Sequence, residues 1–275
     1  MFGSKIAIHT KWDRGRVVIM GGSTGTAFAI HHACIGAMRS GAGLTVAMVP
    51  KTVVLALDYQ ATYKIVSYDG YHSVVPESLW HILKASNALV AGIGIEEDTN
   101  VIKEFFSRIL NEFPNPMIID ADLSLSIGND PSILIHRKVR NVCLLVLNVR
   151  ETETVFGTKR PSKKLVTLFC KEFDIYVLIK GKVALLFSSD GIIHSVENRG
   201  FPEIAVAGSG DLLSGIIGGL LAQRLDIVTS VSTALELRSV ATKIYLKKTG
   251  DIVAHPHDVA QCLPYAWQQI KRRTK

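Results

Sequence analysis

Short runs of β-branched and aliphatic residues alternate along this chain with stretches whose apolar positions recur at helical spacing. That alternation predicts an α/β fold with a mostly parallel central sheet. "RVVIM" (Arg16 to Met20) reads as a strand, Thr26 to Ser40 as a helix and "LTVAMV" (Leu44 to Val49) as a second strand. Further strands are expected at "YKIVSY" from Tyr63, "ALVAG" from Ala88, "MIID" from Met117 and "CLLVL" from Cys143. "IYVLIKG" from Ile175, "VALLF" from Val183 and "IIHSV" from Ile192 follow one another closely through Gly and Ser-Asp-Gly turns. Such spacing predicts an antiparallel meander at one sheet edge. Helices dominate thereafter: Asp211 to Gln223, about Ile227 to Lys248 with Gly250 as its stop, and a last one opening near His257 or Asp258. With no linker-like stretch and no internal repeat, one domain over 1–275 is expected.

Composition narrows the class. Of the 275 residues 48% are hydrophobic and 20% charged, which describes a globular chain with a sizeable core. The formal charge of +7 lies largely on helix faces and in the final "KRRTK". It reads as a solvated surface and also suits an anionic small-molecule substrate. No basic stripe with interleaved aromatics argues for nucleic acid. Cys34, Cys143, Cys170 and Cys262 are far apart and form no Cys-x-x-Cys pair, so neither disulfides nor zinc is expected, in keeping with a reducing cytoplasm. The N-terminal stretch lacks the apolar core of a signal peptide. The greasiest run, Leu212 to Ala222, is eleven residues with three glycines, too short to cross a bilayer, so no membrane role is expected.

Within that run's approach, "VAGSGDLLSG", a carboxylate sits between a glycine turn and an apolar helix. Backbone amides of Gly208, Ser209 and Gly210 at a helix N-terminus would form an anion hole reinforced by the helix dipole. Asp211 beside it reads either as a helix cap or as a general base that deprotonates a hydroxyl next to a transferring phosphoryl group. The turn with Gly21, Gly22 and Gly25 reads either as a second phosphate cradle or as a tight structural turn, and neither a dinucleotide fingerprint nor a P-loop is present. In "LNVRETETVFG", Asn148 and Glu151 follow a buried strand; they suit a helix cap, or a carboxylate acting through water on magnesium. Asp120 and Asp122 in "IIDADLS" offer a metal or water site or a turn cap. "HPHD" (His255 to Asp258) reads as a proline-led helix entry capped by Asp258 more readily than as a metal site.

Taken in order, "GGSTGTAFAIHHACIGAMRSGAGL", "IIDAD", "LIKGKVALLFSSDG" and "IAVAGSGDLLSGIIGGLLAQ" resemble the ADP- or ATP-dependent NAD(P)H-hydrate dehydratases, a branch of the ribokinase superfamily, from about Arg16 to Pro264. The resemblance implies a ribokinase-like three-layer α/β/α sandwich, mostly parallel with the antiparallel edge. It implies that ADP or ATP, with Mg2+, phosphorylates the hydroxyl of hydrated NADH or NADPH, and that phosphate elimination restores the cofactor. Asp211 would then be the base and Gly208, Ser209 and Gly210 the anion hole. Lys180, Gly181, Lys182, Val183, Ala184 and Gly210 would line the nucleotide. Ala29, Gly94, Asn148 and Asp211 would contact the hydrate, with Glu151 near the magnesium. A homo-oligomer, a tetramer in relatives, is also implied, and a separate epimerase where the family's fused epimerase domain is missing. Several positions depart from the family pattern: Phe28 for a small glycine, "GIGIE" for Gly-Pro-Gly-Leu-Gly, Asn148 for a histidine, and Val206-Ala207 for Thr-Gly. The Asn-x-x-Glu spacing keeps open a ribokinase-like kinase of a small hydroxylated metabolite. A non-catalytic adenine-nucleotide-binding protein is the third reading.

Overall fold

The computed structural model of the chain describes residues 10–57, 63–72, 74–135, 142–197 and 202–273. Its strands are β1 (Arg16–Gly21), β2 (Leu44–Pro50), β3 (Lys64–Tyr68), β4 (Ala88–Ile93), β5 (Met117–Ile119), β6 (Cys143–Leu147), β7 (Tyr176–Ile179), β8 (Val183–Phe187) and β9 (Ile193–Glu197). The helices are α1 (Ala27–Arg39), α2 (Glu77–Lys84), α3 (Thr99–Glu112), α4 (Ala121–Asn129), α5 (Val149–Phe156), α6 (Lys163–Phe173), α7 (Ser209–Ala222), α8 (Ile227–Thr249) and α9 (Pro256–Arg273).

All the strands join one sheet in the order β3-β2-β1-β4-β5-β6-β7-β8-β9. Pairing is parallel from β3 through β7, and β8 and β9 run antiparallel as the expected edge meander. The central strands are apolar throughout because helices cover both faces. Alternate residues therefore enter different cores: Val17 and Ile19 pack with α1, α7, α8 and α9, while Val18 and Met20 pack with α2, α3, α4 and α6. This is the three-layer α/β/α sandwich. Among the described residues no helix is long and apolar enough to cross a membrane.

The slim face of α7 has an internal partner. A side chain carbon on Gly215 would lie 2.0 Å from the Ala33 carbonyl oxygen, and one on Gly219 2.2 Å from Ser40 Oγ. On α1 a carbon added to Gly36 would reach 2.5 Å from the Leu212 carbonyl. The two helices thus meet backbone to backbone, which fixes α7 over the sheet. Helix α7 also begins two residues earlier than the sequence pattern suggested. Gly208, at φ +84°, turns the chain into it, so Ser209 and Gly210 are already its first turn.

Candidate functional site

The carboxyl ends of β5, β6 and β7 each deliver one charged group to a common cleft, where open α/β sheets bind ligands. Asp120 follows β5, Asn148 and Glu151 follow β6, and Lys180 follows β7; α7 closes the other side with Gly208 to Asp211. The cleft is about 410 Å³, and Ala121, Gly181, Ile204, Val206 and Arg238 also line it.

Lys180 is its organising charge. Nζ lies 3.0 Å from Asp120 Oδ1 and 3.9 Å from Glu151 Oε2. A carbon added to Gly210 would sit 3.3 Å from the same ammonium, which places Lys180 against the start of α7. Burial alone would lower the Lys180 pKa, but Asp120, Glu151 and Asp211 outweigh it and hold the ammonium above its ordinary value. Asp120 is 1% exposed; it also accepts from Ser214 Oγ at 2.6 Å and from the Ala121 amide at 2.9 Å. Ala121 carries the backbone at φ +52°, a strained conformation for a residue with a Cβ, tolerated here at the edge of the cleft.

Burial, reinforced by the negative charge of Asp120 and Glu151 and opposed by Lys180, pushes Asp211 up to about 7. A carboxylate so placed can gain or lose a proton near neutral pH, which is what a general base requires. Its neighbouring amides are unequal. The Ser209 N–H donates to the Val206 carbonyl at 3.2 Å, whereas those of Gly208, Gly210 and Asp211 have no partner among the described residues. The expected anion hole therefore loses Ser209, whose hydrogen is already engaged, and gains the Asp211 amide.

Of the two readings of Asn148 and Glu151, the structure bears out the helix cap. Asn148 Oδ1 accepts from the Arg150 and Glu151 amides, and Glu151 Oε2 accepts from the Asn148 amide at 2.6 Å, a complete capping box for α5. Asn148 Nδ2 donates to Glu151 Oε1 at 2.6 Å, leaving one amide hydrogen for any ligand. Glu151 is raised by burial and by Asp120, against the lowering effect of Lys180. Because this local cap accounts for the Asn-x-x-Glu spacing, that spacing no longer favours a kinase.

Not every expected nucleotide residue reaches the cleft. Gly181 lines it, Lys182 and Val183 are exposed beyond it, and Ala184 packs into the core. Ala29 and Gly94 lie together at the β1/β4 crossover, where the sheet order reverses. A carbon on Gly94 would be 3.2 Å from Ala29 Cβ, and Thr26 Oγ1 donates to the Gly94 carbonyl. Gly208 links the two regions, since a carbon there would strike His32 on α1. At the turn holding Gly21 to Gly25 the Glu96 carboxylate packs over Gly25 and accepts from Ser23 Oγ, which favours the tight structural turn over a phosphate cradle. At "HPHD", Pro256 opens α9 and Asp258 lies in its first turn, not at the cap. Asp120 caps α4, one of the two readings its sequence allowed; sequence reasoning missed its pairing with Lys180, and missed Ser214 and Arg238.

A family model described as NAD(P)H-hydrate dehydratase matches residues 17–265. The bifunctional NAD(P)H-hydrate repair enzyme of Moorella thermoacetica is 26% identical over 95% of this chain and 51% of its own length. The ADP-dependent (S)-NAD(P)H-hydrate dehydratase of Nitrosopumilus maritimus is 26% identical over 87% of this chain and 84% of its own. The structure of the Bacillus subtilis ADP/ATP-dependent NAD(P)H-hydrate dehydratase, co-crystallised with ATP and Mg2+, has a TM-score of 0.80 and 19% identity, covering 97% of this chain and 93% of that one. The last likeness establishes the ribokinase-like fold. The chain spans about half the length of several curated relatives, which are bifunctional.

Proposed function

The chain belongs to the NAD(P)H-hydrate dehydratase family, and on that premise we propose that it restores hydrated NADH or NADPH with ADP or ATP as phosphoryl donor. The observation that carries this reading is Asp211, raised to about 7, in the first turn of α7 beside free amides and the Lys180 cage.

The substrate hydroxyl is presented to Asp211, whose carboxylate takes the O–H proton. The hydroxyl oxygen bonds to the terminal phosphorus, and the bond from that phosphorus to the nucleotide's bridging oxygen breaks. Amides of Gly208, Gly210 and Asp211 and the α7 dipole stabilise the charge that develops on the phosphoryl oxygens. Lys180, held by Asp120 and Glu151, stands at the same end of α7. In the second stage the carbon–oxygen bond to phosphate breaks, a proton leaves the adjacent carbon and the dihydropyridine returns.

Magnesium would be held beside Glu151, a hard oxygen donor that lines the cleft. Both Glu151 oxygens are engaged by Asn148, which suits contact through water. Among the described residues there is no cage of three ligating side chains, so phosphates and water would complete the shell. When bound, the ion neutralises phosphate charge. The proposal extends to a cytoplasmic homo-oligomer and to a separate epimerase that interconverts the hydrate epimers.

The Asp211→Asn variant tests the assignment. It is expected to lower kcat by about 10²–10⁴-fold while ADP affinity, measured by calorimetry, stays within a few-fold. Full activity in that variant would remove Asp211 as the base.

A further inference from the structure

Helix α8 carries a buried charge toward the cleft that the chemistry above does not use. Arg238 is 4% exposed and lines the cleft with Ser209, Gly210 and Asp211. Its Nη1 donates to the Ser209 carbonyl at 3.2 Å, and its Nε hydrogen has no acceptor. Among the described residues no carboxylate lies within ion-pair distance of the guanidinium. Lys180, the other cation of the cleft, is already shared between Asp120 and Glu151. Burial lowers the Arg238 pKa to about 10, so it remains charged at neutral pH.

An uncompensated buried guanidinium is costly unless an anion completes it. Here the guanidinium, its Nε buried and without a partner, belongs to a residue that lines a cleft whose other side offers free amides at a helix N-terminus. Arginine presents its donors in a fixed planar fork that matches phosphate oxygens. We propose that Arg238 is a phosphate ligand, pairing with a non-bridging oxygen of the terminal phosphate seated on the Gly208–Asp211 turn. This rests on the reading of the cleft as the phosphoryl-transfer site. The same contact holds Ser209, so Arg238 both binds the anion and braces the turn that receives it.

The full chain, with magnesium, is titrated calorimetrically with inorganic tripolyphosphate, ATP, ADP, NADPH and adenosine, for the unsubstituted protein and for Arg238→Gln and Arg238→Lys. The expected result is about 10- to 100-fold weaker binding of tripolyphosphate and ATP by Arg238→Gln, with adenosine unchanged and Arg238→Lys intermediate. A loss confined to NADPH would assign the guanidinium to the hydrate's own phosphates and overturn the terminal-phosphate assignment. Equal binding of tripolyphosphate by all three proteins would overturn Arg238 while leaving the nucleotide reading intact. Tripolyphosphate binding that depends on Arg238, without any nucleotide binding, would uphold the anion site and refute the nucleotide reading. Failure of the unsubstituted protein to bind any of them would refute both. Should a variant fail to fold, crystals of the unsubstituted protein soaked in tungstate read the contact directly. An oxyanion hydrogen-bonded to Arg238 supports the proposal; one elsewhere in the cleft, or none, overturns it.

Discussion

Asp211 and Lys180 share one buried charge cluster, and both hold their protons more tightly than usual. Asp211 is pushed up to about 7 by burial and by Asp120, against Lys180. In the folded apoprotein it therefore keeps a proton that the unfolded chain releases near pH 4. Stability from this group is full below that unfolded value and is lost as pH rises through about 7, since the unfolded state then binds fewer protons. Asp211→Asn should accordingly stabilise the ligand-free protein more at pH 8 than at pH 5, by a difference on the order of 2–4 kcal/mol. Equal gains at both pH values, in urea titrations, would contradict the burial of a charge there. For the same reason kcat/KM should climb with pH toward neutrality as the base ionises, with an apparent value belonging to the coupled carboxylates. Lys180→Met removes the cation that two buried carboxylates share. At pH 8 it should cost about 3–5 kcal/mol, and less at pH 5, where Asp211, raised to about 7, is already protonated and fewer carboxylate charges are left unpaired.

At the scale of elements, activity depends on the seating of α7 against α1. Gly215→Ala places a carbon 2.0 Å from the Ala33 carbonyl, and a backbone contact cannot relax as a side chain tip does. Destabilisation of about 1–3 kcal/mol or more is expected, together with lost turnover, because Gly210 and Asp211 move with the helix. Unchanged melting would show that the helices stand further apart. The run of glycines in "LLSGIIGGLL" announced a close neighbour without naming it, because the neighbour's own small residues, Gly36 and Ala33, lie far back in the chain. Strands were legible for a simpler reason: burial on both faces makes them uniformly apolar, and the tight turns between β7, β8 and β9 mark the meander. The start of α7 was misplaced because Gly208 caps it through backbone conformation and not through a side chain. The separate segments of the site were legible one by one, at Gly208 to Asp211, Asn148 to Glu151 and Lys180, but their meeting was not. Asp120 meets Lys180 across 60 positions and Ser214 across 94, contacts that only the sheet order creates.

Seen whole, the molecule spreads its chemistry along one edge of a single sheet. The carboxyl ends of β5, β6 and β7 assemble the charged cleft, while the β1/β4 crossover holds Ala29 and Gly94 together near α1. Gly208, packed against His32, joins the two; under the proposed function this would bring a hydroxylated acceptor to a nucleotide's terminal phosphate. The β1/β4 region carries Glu96 over its glycine turn and Phe28 exposed beside His32. The measurement closest to the central claim mixes the purified protein and magnesium with NADPH hydrate, in the presence of ADP, of ATP, or of neither. Return of the reduced-nicotinamide absorbance with one of the nucleotides, absent without them and absent in Asp211→Asn, is the predicted result. No return with either nucleotide, in protein that binds ADP, would contradict the account.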